Sequence, residues 1–173
     1  MFTFNEFLTE QDKKSNLTPD LYELVRTDEF KKWFGDWEND KANSSKILDD
    51  NGEPLVLYHG SSGNFDKFST KYLGTSTNAK SAKLGLFFTD DKNDAVAYSR
   101  RYGGGKLFTV FLNIRNSKIK DFKNEKVNAD NELVKLIRSS DDGAIAYNLR
   151  DGFVTNNQYI IKDDKNVWVI SKE

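Results

Sequence analysis

The chain holds one histidine among 173 residues, His59. It follows directly on the apolar run Leu55-Val56-Leu57-Tyr58 and precedes Gly60-Ser61-Ser62-Gly63-Asn64. Such a run reads as a strand buried on both faces, because only full burial removes the apolar/polar alternation. Gly60 and Gly63 lack a Cβ, so the backbone there can turn sharply or approach a ligand closely. A neutral imidazole offers one donor and one acceptor, and at the lip of a Gly/Ser loop it suits a polar ligand. The same residues equally fit a histidine satisfied at a strand end, and this stretch alone leaves both readings open. With no cysteine, disulfides and thiolate metal sites are excluded, and a zinc site would need carboxylates, so no metal is expected. The lack of cysteine fits a reducing compartment or indifference to redox.

Two later stretches carry the other candidate residues. Gly85-Leu86-Phe87-Phe88-Thr89 is a short aromatic strand, and Asp90-Asp91-Lys92-Asn93-Asp94-Ala95-Val96-Ala97-Tyr98 reads as a helix. Tyr98 follows Phe87 by 11 residues. Asn157-Gln158-Tyr159-Ile160-Ile161 is a further strand with a polar residue at its mouth. Asp151, Asp163 and Asp164 lie nearby in sequence but read as solvated turns.

The remaining elements must hold these three stretches together. Thr18-Pro19-Asp20 opens a helix with an N-cap hydroxyl, a first-position proline and an acidic first turn. A second helical piece carries Phe30, Trp33 and Phe34 at core spacing. Asn51-Gly52 predicts a two-residue hairpin turn joining Ile47-Leu48 to the His59 strand. Residues 69–83 read as a loop. Further strands are expected over residues 107–114, 143–147, 158–161 and 167–170, and a helix over 130–137. Strands and short helices interleave without a regular βαβ rhythm, so the fold class is α+β. No GxGxxG follows the first strand, which leaves a Rossmann cofactor site unsupported.

Composition narrows the function. Charged residues make up 31%, yet the formal net charge is −1, so no basic field is present to grip a phosphate backbone. Thirteen Phe, seven Tyr and three Trp supply enough apolar area for a real core despite a mean hydropathy of −0.71. No apolar run approaches the roughly 20 residues of a membrane span.

Together the three stretches resemble the catalytic core of ADP-ribosyltransferases of the poly-ADP-ribose polymerase and diphtheria-toxin type. That family's signature is a strand ending in His-Gly-Ser/Thr, then Gly-Ile-Tyr-Phe-Ala leading into a Lys-Ser-Ala-x-Tyr helix, then Asn-Glu-Tyr-Ile-Val. The Trp33-Phe34-Gly35-Asp36-Trp37 run and the Ser45 to Leu55 stretch also resemble the lead-in of phage polyvalent-protein ADP-ribosyltransferase domains. The resemblance implies a split mixed β-sheet core with short flanking helices in a single domain, residues 17–173. It implies NAD as substrate and no metal. His59 would bond the adenosine ribose hydroxyls, Gly60 the nicotinamide carboxamide through its backbone, and Tyr98 would stack on the nicotinamide. Phe87 would wall the far side, with Ser61 and Asn64 as further nucleotide contacts. Gln158 stands where the family has glutamate, and with His59 and Tyr98 makes up the expected catalytic set. Gln keeps a hydrogen bond to the ribose but brings no charge. The resemblance therefore implies mono-ADP-ribosyl transfer, or alternatively an inactive NAD- or ADP-ribose-binding or capsid-internal protein.

Residues 1–16 read as a separate leader. Phe2, Phe4, Phe7 and Leu8 precede the polar tract from Gln11 to Asn16. The pattern resembles the capsid-targeting leader of internal head proteins in T-even-type phages, with Leu8-Thr9-Glu10 fitting cleavage after Glu10 by the prohead protease. It implies residence inside a virion and later in the host bacterial cytoplasm. A monomer without membrane contact is expected, and the net charge of −1 favours a host protein over a nucleic acid as target.

Overall fold

Pro19 at the first helical position and the Thr27 hydroxyl, which accepts from the Phe30 N–H at 3.3 Å, set the starts of two short helices. These are α1 (Pro19–Val25) and α2 (Asp28–Phe34). The fold is taken from a computed structural model that describes residues 15–101, 105–152 and 154–173. Residues 1–14 of the expected leader, with the expected cleavage after Glu10, lie outside the described residues, as does Gly103, a residue type that would stop the helix read from Asp90.

The aromatic stripe of α2 packs as its spacing requires. Phe30 is fully buried and meets Phe34, Phe111 and Trp168 at ring separations of 5.2, 5.1 and 5.4 Å. Burying one such ring is worth roughly 1.5–3 kcal/mol, so this cluster clamps the helical lead-in onto the sheet behind it.

The other elements run β1 (Leu57–Ser61), β2 (Leu86–Phe88), α3 (Lys92–Arg100), β3 (Lys106–Leu112), β4 (Ser117–Asp121), α4 (Ala129–Arg138), β5 (Gly143–Asp151), β6 (Val154–Ile161) and β7 (Val167–Lys172). They form two sheets, one ordered β1-β3-β7 and one ordered β2-β6-β5-β4. All pairings are antiparallel except β4 with β5. Among the described residues a single bridge, Tyr58 to Thr89, joins the two sheets. The result is an α+β fold with a split sheet, one half of it mixed, as the resemblance implies. One core, around Leu57, Phe68, Phe88, Phe108 and Tyr159, fills the space between the sheets; a second lies under α4.

Several local expectations are revised. β1 does not end at His59 but continues through Gly60 and Ser61, paired to Leu107 and Lys106. It can continue because Gly60 has no side chain: a Cβ there would lie 1.8 Å from the Ala95 carbonyl oxygen of α3. The expected two-residue hairpin at Asn51-Gly52 is a wider turn. Asp49 accepts from the Asn51 and Glu53 N–H groups at 2.9 Å, and the flanking chains meet in one bridge, Leu48 to Pro54. The strand expected over 143–147 runs on to Asp151 through a bulge at Asn148, whose φ is 49°. Residues 69–83 contain two short 3-10 turns, Thr70–Tyr72 and Ser81–Lys83. Asp164 holds the first through the Thr70 N–H at 2.9 Å, and Asp130 holds the second through the Lys80 and Ser81 N–H groups at 3.0 and 2.8 Å.

Candidate functional site

The split opens where the seam between the sheets stops. The Tyr58 N–H donates to Thr89 O at 2.8 Å, and the Thr89 N–H returns to Tyr58 O at 2.9 Å. Backbone polar groups alternate sides along an antiparallel strand. Tyr58 points its pair toward β2, so Leu57, His59 and Ser61 point theirs toward β3, and Gly60 points its pair back toward the β2 side. Leu107, opposite Gly60, is engaged on its other side, exchanging both bonds with Glu173 at 2.9 Å. Past Thr89 the chain leaves the seam, because the Thr89 and Asp91 side chains cap the start of α3. The Gly60 peptide thus presents one donor and one acceptor to the split, one step beyond the last cross-sheet bond.

Above this edge lies α3. Ala95 and Ser99 are buried, at the distance from β1 that Gly60 alone allows. Asp94 and Tyr98, one turn apart, share the neighbouring face of the helix. Tyr98 is 39% exposed, so its ring is open to the surface beside Gly60. The floor comes from the other sheet. Phe87 pairs with Ile160, so Phe87, Ile160, Gln158 and Asn156 project to one face. Phe87 is half-buried against the core under α4, with its neighbour Phe88 turned into the core between the sheets. Gln158 Nε2 donates to Asn156 Oδ1 at 3.3 Å, and Asn156 Nδ2 donates to Asp94 Oδ2 at 3.2 Å. That chain ties the face of α3 bearing Tyr98 to the face of β6 bearing Gln158.

His59 sits on the opposite face of β1 from Gly60, among Phe65, Phe68, Phe88 and Phe108 with ring separations between 5.1 and 6.5 Å. Its Nδ1 lies 2.7 Å from Phe87 O. A carbonyl only accepts, so Nδ1 carries the proton and Nε2 is left as an acceptor. Burial pushes the His59 pKa below its ordinary 6.5, and the Phe87 carbonyl pulls weakly the other way. The imidazole is therefore neutral at physiological pH. Ser61 Oγ accepts from the Gly63 N–H at 3.0 Å, so it is engaged in its own turn. Asn64 is exposed beyond that turn.

Behind the site, Asp90 accepts from Asn157 Nδ2 at 2.8 Å and from the Tyr159 hydroxyl at 3.1 Å. Burial, reinforced by Asp90, raises the Tyr159 pKa, so its hydroxyl remains a proton donor. Sequence reading missed Asp94 and Asn156. Asn156 had one usable signal, since two residues before Gln158 in a strand means the same face. Asp94 had none, being 62 residues away from its partner. A separate hollow of about 310 Å³, lined by Lys126, Val127, Arg150 and Gly152, includes none of these residues. Among the described residues no group of three or more His, Asp or Glu is placed to hold a metal ion.

A family model described as ADP-ribosyltransferase in polyvalent proteins matches residues 49–171. That span holds every candidate residue from His59 to Gln158 and both strands of the seam. None of the curated proteins searched matches the chain.

Proposed function

The chain belongs to the ADP-ribosyltransferases of polyvalent proteins, and from that premise we propose that it is an NAD-dependent mono-ADP-ribosyltransferase. ADP-ribosyltransferase domains use NAD as substrate. The observation that carries the reading is the open Gly60 peptide beside the Tyr58–Thr89 bridge, with Tyr98 and Gln158 on the elements that flank it.

In this reading the Gly60 N–H and C=O take the complementary C=O and NH2 of the nicotinamide carboxamide. Tyr98 stacks on the ring and Phe87 lines the far wall. His59 Nε2 accepts from a ribose hydroxyl of the adenosine half, a role that needs the neutral tautomer held by Phe87 O. Ser61 and Asn64 border the nucleotide. As the bond from ribose to nicotinamide stretches, positive charge grows on the ribose, as in glycoside cleavage. Gln158 holds the ribose by a hydrogen bond and meets that charge with a dipole only, which favours a single transfer over polymer growth. The same glutamine favours a second reading, a module that binds NAD or ADP-ribose without cleaving it.

The acceptor is proposed to be a host protein, since a net charge of −1 gives no general attraction for nucleic acid. The leader resemblance supports a phage effector packaged in the head after cleavage behind Glu10, then active as a monomer in the host bacterial cytoplasm. Incubation with NAD labelled in the adenylate and bacterial lysate tests the transfer. Label on a protein band is expected. Free ADP-ribose alone would make the protein a hydrolase, and bound but intact NAD would select the second reading.

A further inference from the structure

Gln158 does not hang freely in the split. It is the end of a hydrogen-bonded row, Asp94–Asn156–Gln158, spanning α3 and β6 with separations of 3.2 and 3.3 Å. The direction of this row follows from its first member. A carboxylate at neutral pH only accepts, whereas an amide has one accepting and one donating end. Asp94 therefore takes the NH2 of Asn156, which turns the Asn156 oxygen toward Gln158. That oxygen in turn takes the NH2 of Gln158. That leaves the Gln158 oxygen as the one acceptor it has to present, beside the second hydrogen of its NH2.

We propose that Asp94 is a positioning residue that, acting through Asn156, turns the Gln158 amide oxygen toward the split and so makes the site select a hydroxyl donor, such as a ribose 2′-OH. The identity of that hydroxyl rests on the NAD reading above; the orientation rests on hydrogen-bond polarity alone. Asp94 and Gln158 then form a matched pair. A carboxylate at position 158 would face the Asn156 oxygen, acceptor against acceptor, and Asn156 cannot turn its NH2 both ways. With an amide at position 94 the conflict disappears, because the whole row can reverse: position 94 donates to the Asn156 oxygen, and the Asn156 NH2 serves position 158. Glutamine at 158 is on this view the partner that Asp94 demands.

The test is a cycle of four proteins: the parent, Asp94→Asn, Gln158→Glu, and the two changes combined. All four are read by thermal melting without ligand and by nicotinamide release at saturating NAD. Gln158→Glu alone is expected to lower the melting temperature and to cut turnover at least fivefold. Asp94→Asn alone is expected to cut turnover about threefold or more with little change in KM, since the Gln158 amide can then present either end. In the combined protein the melting temperature is expected to recover, and turnover to exceed that of Gln158→Glu at least tenfold. Asp94→Asn thus harms one background and rescues the other, which a merely structural role would not do. Additive melting temperatures and additive turnover would overturn the proposal. Coupled melting with no nicotinamide release from any protein would uphold the row and overturn the enzymatic reading instead.

Discussion

His59 Nδ1 lies 2.7 Å from the Phe87 carbonyl oxygen, so the imidazole of one sheet is held by the backbone of the other. This bond crosses between the sheets next to the Tyr58–Thr89 bridge and decides which imidazole nitrogen carries the proton. Burial makes the same ring a reporter of pH. Burial depresses the folded pKa of His59 below 6.5. Between that lower value and the unfolded value the unfolded chain binds more protons, so stability is fully present above about pH 6.5 and falls as the pH drops below it. Carboxylates contribute to acid unfolding mainly below about pH 5. With one histidine in the chain, the melting temperature should slope between about pH 5 and 6.5, and His59→Gln should flatten that slope. An unchanged slope in the variant would place the titration elsewhere.

Gly60 should tolerate no side chain. Its missing Cβ would stand 1.8 Å from Ala95 O and 2.9 Å from Ser99 N, both backbone atoms of α3. Gly60→Ala should cost about 1–3 kcal/mol or more in denaturant unfolding and should weaken NAD binding as α3 is displaced. Gly63→Ala is the control, because its Cβ would meet only Ser61 Oγ at 3.5 Å and Phe65 Cδ1 at 3.6 Å. Equal stability of the two variants would contradict the close packing of α3 on β1.

Phe30 separates stability from ligand binding. It lies on α2, away from the split, in a cluster with Phe34, Trp37 and Phe111. Phe30→Ala should cost about 3–5 kcal/mol, while the NAD affinity of the remaining folded protein stays within twofold of the parent. Titration calorimetry at a temperature where the variant is folded checks this. A proportionate loss of affinity would mean that the lead-in shapes the site.

Asp130 tethers the far end of the 69–83 segment to α4 through two backbone N–H groups. Those bonds, the one from Ser81 foremost, hold its carboxyl below the usual carboxylate range. Asp130→Ala should speed hydrogen exchange at Lys80 and Ser81 without exposing the cores. Unaltered exchange there would show that the segment is held by other contacts.

Much of the candidate site is made of residues that announce themselves locally. The lone His59 before Gly60, the Phe87 and Tyr98 spacing, and Gln158 ahead of Tyr159-Ile160-Ile161 all lie within short stretches of sequence, although β6 begins at Val154 and puts Gln158 in mid-strand rather than at its mouth. What was not legible depends on tertiary packing. β4 carries Lys118, Ile119 and Lys120 exposed at a sheet edge, so no apolar alternation marked it. The end of β1 was misjudged because glycine usually breaks a strand, whereas here it lets a helix close over one. The Asp94–Asn156–Gln158 row joins residues distant in sequence by polarity alone, which no periodicity encodes.

The split beside Gly60 is proposed to bind NAD and cleave it. The most direct measurement is nicotinamide release by the parent protein at millimolar NAD, with Tyr98→Ala and His59→Gln run alongside at matched folded fraction. Release above the protein-free rate is expected from the parent, and at least a tenfold loss from each variant. Release unaffected by both substitutions, or no release together with an unchanged melting temperature in millimolar NAD, would contradict it.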